Sequence, residues 1–570
     1  MPILIKPNVS LLKTIQLHRF LFNLLFLISL NGFGQQLHLK IVGKNDLQTK
    51  AIDSVGYSKS FGNAKGILDE TNLFSKKLLQ AGFLEQEVLE SRKQNDSTFL
   101  YKYNIGAKTN FIHIYVVKNL EVGNWNLYTV KNDTLKLPFG ESEAFLNSTL
   151  KKLEAKGFSM AKVQLTNLQK QADFVSADLK VTSDKKRQWN DIVINGYDKF
   201  PEGHKNNLKR LYKKRVFNQE NLEKLYKDIG QFQFIKQTKY PEILFTKDST
   251  KVFVYLEKAK SNSFDGFIGF SNDENRKVIF NGYVDLTLNN AMNSGEKLAL
   301  YWKSNGKDQK TFHVGAEIPY VFKSPIGMKV QLHIFKQDST FQNTQTAIDF
   351  GYYFNYNTRL YLGYQSAESS DIKNSNTLLL SDYKNKFYTS NFEFVEYKED
   401  DYLFPEKSNF NIKIGTGRRD SKFQNNTQFF GSVNLSHNFY LNAKNIINVK
   451  SENYYLQSDE YILNEMYRFG GINSIRGFNE NSLQGNQFSS VLTEYRYVLS
   501  PSIYVHSIID YAYFQDKTTN LKGNLLGLGF GFGLLTKNGL FNLVYANGSA
   551  KDQAIKLSNS MVHISLKARF

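Results

Sequence analysis

From residue 263 to the C-terminus, apolar and polar positions alternate in a long series of period-2 segments, with no amphipathic helix among them. Over 278–288 one face is apolar, while Asn281, Asp285 and Thr287 fall on the other. Met328, Val330, Leu332 and Ile334 alternate with Lys329, Gln331 and His333, and Phe410, Ile412 and Ile414 with Asn409, Asn411 and Lys413. Each segment has about the ~9–11 residues that a tilted membrane-spanning strand needs. A soluble sandwich would also alternate, so the connections carry the assignment. The pattern predicts sixteen strands, near 262–271, 276–288, 295–303, 308–319, 327–336, 345–355, 357–366, 385–397, 407–416, 427–438, 439–458, 487–499, 502–513, 522–535, 538–548 and 559–570. Asn355-Tyr356-Asn357, Ser500-Pro501 and Lys537-Asn538-Gly539 make tight turns on one rim, and 367–384, 417–426, 459–486 and 549–558 long loops on the other. Only 398–406 is longer than that rule prefers. Even strand number with alternating short and long connections predicts a transmembrane antiparallel β-barrel over 263–570. Pro325 and Pro501 sit in turns, where a missing N–H costs no ladder bond.

Upstream the pattern changes to mixed helices and strands in a repeating order. The clearest unit, 188–260, starts with strand-like Asp191-Ile192-Val193-Ile194-Asn195-Gly196. Helices around 203–214 and 218–229 follow, the second capped by Asn218, then strands 242–247 and 251–257. This is a β-α-α-β-β order. A second copy over 110–183 has a helix at 142–156 stopped by Gly157, then strands 162–167 and 173–181. A third, over 37–106, has a helix at 68–81, Gly82, and a strand near 97–103. The chain is therefore expected to place three small α+β domains ahead of the barrel.

Composition fits this reading. Hydrophobic residues make up 41% and mean hydropathy is −0.42, yet there are 46 Phe and 33 Tyr. Spanning strands hide their apolar face among polar residues and give no long apolar run. The one such run, Phe20 to Leu30, follows Lys6, Lys13, His18 and Arg19 and precedes Gly32 and Gly34. It reads as a signal peptide over 1–34, since the apolar stretch falls short of the ~20 residues a spanning anchor needs. No cysteine is present, so disulfides, thiolate metal sites and thiol chemistry are excluded. The net charge of +19 is spread along the chain, either as a diffuse solubility feature or as an attraction for anionic headgroups or acidic partners.

The predicted loop 459–486 contains Arg468-Phe469-Gly470-Gly471-Ile472-Asn473-Ser474-Ile475-Arg476-Gly477-Phe478. With the tandem units and the barrel, Ile475-Arg476-Gly477-Phe478 resembles the (V/I)-R-G-(F/Y) signature of the BamA/TamA outer-membrane assembly superfamily, in which POTRA domains precede a sixteen-stranded barrel. The resemblance spans about 37–570, and three periplasmic units look closer to the TamA branch than to BamA, which carries more. It implies a loop folded into the lumen, with Arg476 held by acidic residues on the next two strands, where Glu494 and Asp510 fall. A guanidinium in a narrow lumen needs carboxylate oxygens in any case. The family places Phe two residues before this aspartate; here Ile508 stands there. In the last strand Val562, Ile564, Leu566, Ala568 and Phe570 alternate with polar residues, and terminal Phe570 resembles the family's C-terminal targeting signal.

No catalytic motif stands out: H-E-x-x-H, G-x-S-x-G and the P-loop pattern are absent. Gly527, Gly529, Gly531 and Gly533 recur at period 2 with no helix behind them, as in a strand with one glycine face open to a close neighbour. No enzyme activity, cofactor, metal or nucleic-acid partner is expected. The expected role is assembly or insertion of unfolded clients at the outer membrane, with the N-terminal domains in the periplasm. The partners would be clients, the lipid bilayer and an inner-membrane-spanning protein. Clients would be captured on exposed sheet edges and passed through a seam between the first and last strands, where Gly266 and Gly269 weaken pairing. The alternative is a dedicated two-partner-type exporter, which resembles relatives with two periplasmic units and a plug helix. A passive porin needs no periplasmic repeats.

Overall fold

The computed structural model describes residues 36–116, 133–183, 185–272, 278–305, 309–399, 401–550 and 560–570. The segment read as a signal peptide lies outside them. The chain forms two compact units, divided after Lys186.

The first unit contains two small α/β sheets. One is built from β1 (Leu37–Gly43), α1 (Asp46–Val55), β2 (Ser60–Phe61), α2 (Ala64–Gln80), β3 (Glu87–Lys93) and β4 (Thr98–Asn104), in the order β2-β1-β4-β3 with β1 and β4 parallel. Leu39 and Ile41 project from one face of β1 onto Ile52, Ile67, Phe74 and Leu78, where strand period 2 meets helix period 3.6. Asn45 and Asn63 cap α1 and α2 by accepting from Gln48 N and Gly66 N. The other sheet comprises β5 (Phe111–Tyr115), β6 (Thr134–Pro138), α3 (Ser142–Ala155), β7 (Lys162–Lys170) and β8 (Phe174–Thr182), in the order β6-β5-β8-β7. Its described residues hold the helix and two strands expected at 142–156, 162–167 and 173–181, together with β6, an edge strand that buries Leu135 and Leu137 between outward Thr134 and Lys136.

The second unit opens with β9 (Asp191–Asn195), α4 (Glu202–Tyr212), α5 (Gln219–Gly230), β10 (Ile235–Phe245) and β11 (Thr250–Lys258), ordered β10-β11-β9. Asn218 caps α5 by accepting from Asn221 N at 2.8 Å.

The barrel follows at once: β12 (Ser263–Asn272), β13 (Val278–Asn289), β14 (Lys297–Asn305), β15 (Gln309–Ile318), β16 (Ile326–Gln337), β17 (Phe341–Tyr353), β18 (Thr358–Asp371), β19 (Tyr383–Tyr397), β20 (Glu406–Ser421), β21 (Asn425–Tyr440) and β22 (Asn445–Gln457). After a loop carrying a short hairpin, β23 (Tyr467–Phe469) with β24 (Leu483–Gly485), come β25 (Gln487–Ser500), β26 (Ile503–Asp516), β27 (Leu521–Thr536), β28 (Gly539–Ala550) and β29 (Met561–Arg569). Sixteen of these strands close into one antiparallel barrel, β12 through β22 and β25 through β29. Outward side chains form an apolar belt, including Ile348, Phe350, Leu362, Tyr388, Ile414, Ile509, Tyr511 and Ile564, all exposed. No helix of the described residues is long and apolar enough to cross a membrane, which says nothing of a β-barrel.

Several strands outrun the apolar pattern. β18 continues to Asp371, β20 to Ser421, and β21 starts at Asn425, so the expected loops 367–384 and 417–426 shrink. The ladder there continues through polar cross-strand pairs such as Lys384↔Asp420, which hydrophobic alternation does not reveal.

The domain of β9–β11 is fastened to the barrel rim formed by the short turns. Asn207 Nδ2 donates to the carbonyl oxygens of Lys323 and Ser324 at 3.3 and 3.1 Å, and Arg210 Nη2 to that of Tyr353 at 3.3 Å. Gln231 donates to the Tyr397 carbonyl at 3.1 Å and accepts from Asn357 Nδ2 at 2.9 Å. His204 of α4 is fully buried between Phe232 and Phe234 of its own domain and Tyr320 and Tyr356 of the rim. Burial among rings lowers its pKa to about 3.

Candidate functional site

The loop between β22 and β25 turns back onto lumen-facing side chains of the wall. Its bend needs conformations that favour glycine: Gly470, Gly471 and Gly477 have φ of 106°, 101° and 87°. Gly471 N donates to the Ile475 carbonyl at 3.1 Å, which brings the segment round to Arg476.

Arg476 is 5% exposed and meets both acidic residues named from the sequence. Its Nε donates to Asp510 Oδ2 at 2.7 Å and its Nη2 to Asp510 Oδ1 at 2.5 Å, a bidentate pair with β26. Its Nη1 donates to Glu494 on β25, and its backbone N to Asp510 Oδ2 at 3.1 Å. The far oxygen of Glu494 accepts from Arg496 Nε at 2.7 Å, and Arg496 Nη1 donates to Asn438 Oδ1 at 2.9 Å. Two arginines thus share Glu494, and a charge that would be costly alone is embedded in a network.

The neighbouring motif residues pack. Ile475 is fully buried with Phe469, Phe488, Ala512 and Leu525, and Phe478 lies against the same cluster. Ile508, standing where the resembling family has Phe, is buried with Val544 and Ala546 and touches Ile472 of the loop. The glycines of β27 are paired with the lumen-facing row of β26, Asp510↔Gly527, Ile508↔Gly529, His506↔Gly531 and Tyr504↔Gly533. A Cβ at Gly527 would collide with the Arg476 carbonyl oxygen, and Gly477 and Gly548 of β28 touch so closely that neither accepts a side chain.

Two further anchors were not foreseen. Glu480, beyond the motif, takes Lys303 Nζ and the Tyr301 hydroxyl of β14 on the other flank of the β12–β29 seam, the latter at 3.2 Å. Glu465, before the motif, pairs with fully buried Arg419 of β20. Their one signal in the sequence is strand parity: Lys303 and Arg419 fall on the lumen row of their strands. The lumen keeps a cavity of about 640 Å³ beside the loop, of mixed lining that includes His333, Lys413, Phe387 and Phe430, and another of about 330 Å³, lined by residues including Glu317, Arg359 and Glu393. Among the described residues no group of three His, Asp or Glu is placed to hold a metal ion.

At the seam, β12 and β29 share two register positions among the described residues, Ser263↔Arg569 and Phe264↔Ala568. By contrast β12 and β13 share ten, from Ser263↔Thr287 to Asn272↔Val278. Gly266 opposes Val284 and Gly269 opposes Asn281 on β13, and a Cβ at Gly266 would strike the Tyr283 carbonyl. Phe570 is half-exposed beside this seam, its N donating to the Asn262 carbonyl at 3.1 Å.

Fold and site together define a sixteen-stranded barrel of the outer-membrane class, preceded by small α/β units and with an arginine-pinned loop in its lumen. No protein-family model and no curated protein sequence matches the chain. Among solved structures, CdiB from Acinetobacter baumannii is similar in fold, with a TM-score of 0.51 and 13% identity over 80% of this chain and 89% of that one. CdiB from Escherichia coli gives 0.49 and 11% over 88% and 97%. BamA from Haemophilus ducreyi lacking POTRA domains 1–3 gives 0.44 and 14% over 75% and 93%.

Proposed function

We propose that the protein assembles or inserts other proteins at the outer membrane, with its barrel seam as the working edge and its α/β units, over 37–106, 110–183 and 188–260, acting as periplasmic POTRA-like domains of a TamA-like branch. The short β12–β29 pairing is the observation that carries this reading. Beyond Phe264 the described residues of β12 have no register partner on β29, and the N–H and C=O groups of such an edge are a template on which a client strand can add before passing into lipid. The exposed edge of the first domain, β3, offers the same kind of template, with Val88 and Leu89 both exposed. Arg476, Glu494 and Asp510 hold the loop against the strands that lead to the seam, so that the wall stays rigid while its edge is free. Phe570 serves as this chain's own targeting signal, and an inner-membrane-spanning protein would contact the N-terminal domains.

The second reading, a dedicated exporter that passes one partner through the lumen, is favoured by the lumen cavity of about 640 Å³. Quantitative proteomics of purified outer membranes before and after depletion separates the two. Loss of many unrelated barrels is the expected result. Loss of a single secreted or surface protein, with other barrels unchanged, would instead establish the exporter.

A further inference from the structure

On the lipid-facing side of the wall, at the end opposite the turns that carry the β9–β11 domain, two cationic pairs stand directly opposed across neighbouring strands. Lys310 of β15 faces Lys336 of β16, and Lys386 of β19 faces Arg418 of β20. The strand parity is clear: Thr311, His313, His333 and Phe335 line the lumen cavity, so Lys310 and Lys336 point outward. Lys386 and Arg418 are exposed on the same row as Tyr388 and Thr416.

Like charges directly opposite one another on a sheet repel, and a ladder normally sets carboxylates between them. Lys384, close by, shows that arrangement: it pairs with Glu368 on one side and lies opposite Asp420 on the other. The remaining cross-strand neighbours of the Lys310–Lys336 pair are Ser304 and Gln342, both neutral. Those of the second pair are Ser366 and Thr427, with Asp420 reaching Arg418 Nε at 2.7 Å along its own strand.

Position supplies the second argument. One step below each pair an outward aromatic stands under one member, Phe312 with Trp302 beside it and Tyr388 with Tyr364 at a ring-centroid distance of 5.9 Å, while Ile334 and Thr416 stand under Lys336 and Arg418. Aromatic girdles mark the level where hydrocarbon gives way to head groups. From Ile326, at the other end of the same apolar row, Lys336 is about 33 Å along the strand, roughly 25 Å along the axis at a ~40° tilt, so this pair lies at the head-group level of an apolar band about 25 Å tall.

We infer that these pairs form docking sites for the phosphate of lipids in the adjoining leaflet, one head group between Lys310 and Lys336 and a second between Lys386 and Arg418. A phosphate monoester between two opposed cations turns their repulsion into two charge-assisted contacts, while its acyl chains lie on the apolar belt below. The sites are independent, lying about four strand spacings, or ~19 Å, apart. They sit on the outer wall, away from the lumen loop and the seam.

The test uses the full-length protein in neutral detergent and native mass spectrometry with three probes: dihexanoyl phosphatidic acid, dihexanoyl phosphatidylcholine and inorganic phosphate. The wild type is expected to retain phosphatidic acid at least tenfold more tightly than either other probe. Lys310→Gln with Lys336→Gln should remove one bound lipid, Lys386→Gln with Arg418→Gln the other, and Lys384→Gln neither. A folded-barrel gel shift verifies each variant, and because the sites are separate, failure of one double variant to fold leaves the other to decide. Equal retention by the double variants, equal retention of phosphatidylcholine, or equally tight binding of inorganic phosphate would overturn the inference.

Discussion

Arg476 donates to Asp510 through Nε and Nη2 and to Glu494 through Nη1, so its removal strands Asp510 inside the barrel and leaves Glu494 to Arg496. Arg476→Ala should cost about 3–5 kcal/mol, the usual penalty for leaving a buried ion unpaired. It should lower the temperature at which the folded barrel is lost on semi-native gels. Lysine at this position should recover only part of that, because an ammonium cannot form the bidentate contact. An unchanged barrel with unchanged assembly activity in Arg476→Ala would remove the loop from the proposed mechanism. His204 gives a pH dependence. Its folded pKa of about 3 lies below the unfolded value near 6.5, so the unfolded state binds the proton first as pH falls. Stability of the domain on the rim is complete above pH ~6.5 and falls by roughly 2 kcal/mol by pH 5. Hydrogen exchange in α4 should therefore accelerate between pH 7 and pH 5 beyond its intrinsic pH dependence. In His204→Leu that extra acceleration should be absent; equal acceleration in both proteins would show that another group is responsible.

Strand β27 works through what its lumen row lacks. A branched side chain at Gly527 must displace the Arg476 carbonyl, so Gly527→Val should push the loop from its seat and open 458–486 to added protease. Gly431, where a Cβ would meet nothing within 4 Å, supplies the control: Gly431→Val should leave digestion unchanged. Much at this scale was legible in the chain. The turns at Asn355-Tyr356-Asn357, Ser500-Pro501 and Lys537-Asn538-Gly539 and the alternation between them led to sixteen strands, because a lipid-facing row must be apolar. Strand ends were less legible, since above the apolar belt the ladder runs on through polar pairs such as Lys384↔Asp420. Arg476 could be matched with Glu494 and Asp510 because a resemblance supplied the pairing. Glu480 and Lys303, separated by 177 residues, had only strand parity to connect them. His204 falls in the helix expected around 203–214, and nothing local announces that the turns at 319–325 and 354–357 will cover it.

At the scale of the whole molecule the lumen loop spans the flanks of the seam. Arg476 ties it to β25 and β26, and Glu480 ties it to β14, while between those flanks β12 and β29 share only two register positions among the described residues. The loop thus braces the strands on either side of the seam, while the seam edge itself keeps a short ladder among the described residues. The absence of cysteine makes that edge accessible to a clean experiment, since one introduced pair is the only disulfide the chain can form. Phe264 and Ala568 are direct cross-strand partners, and such pairs have Cα atoms about 4.5–5.5 Å apart, within disulfide range. The decisive measurement is the rate of client-barrel assembly in proteoliposomes carrying the Phe264→Cys, Ala568→Cys protein, oxidised and then reduced. The proposed mechanism predicts a folded but inactive protein when oxidised and recovery on reduction. Assembly at the same rate in both states would show that clients do not pass through the seam.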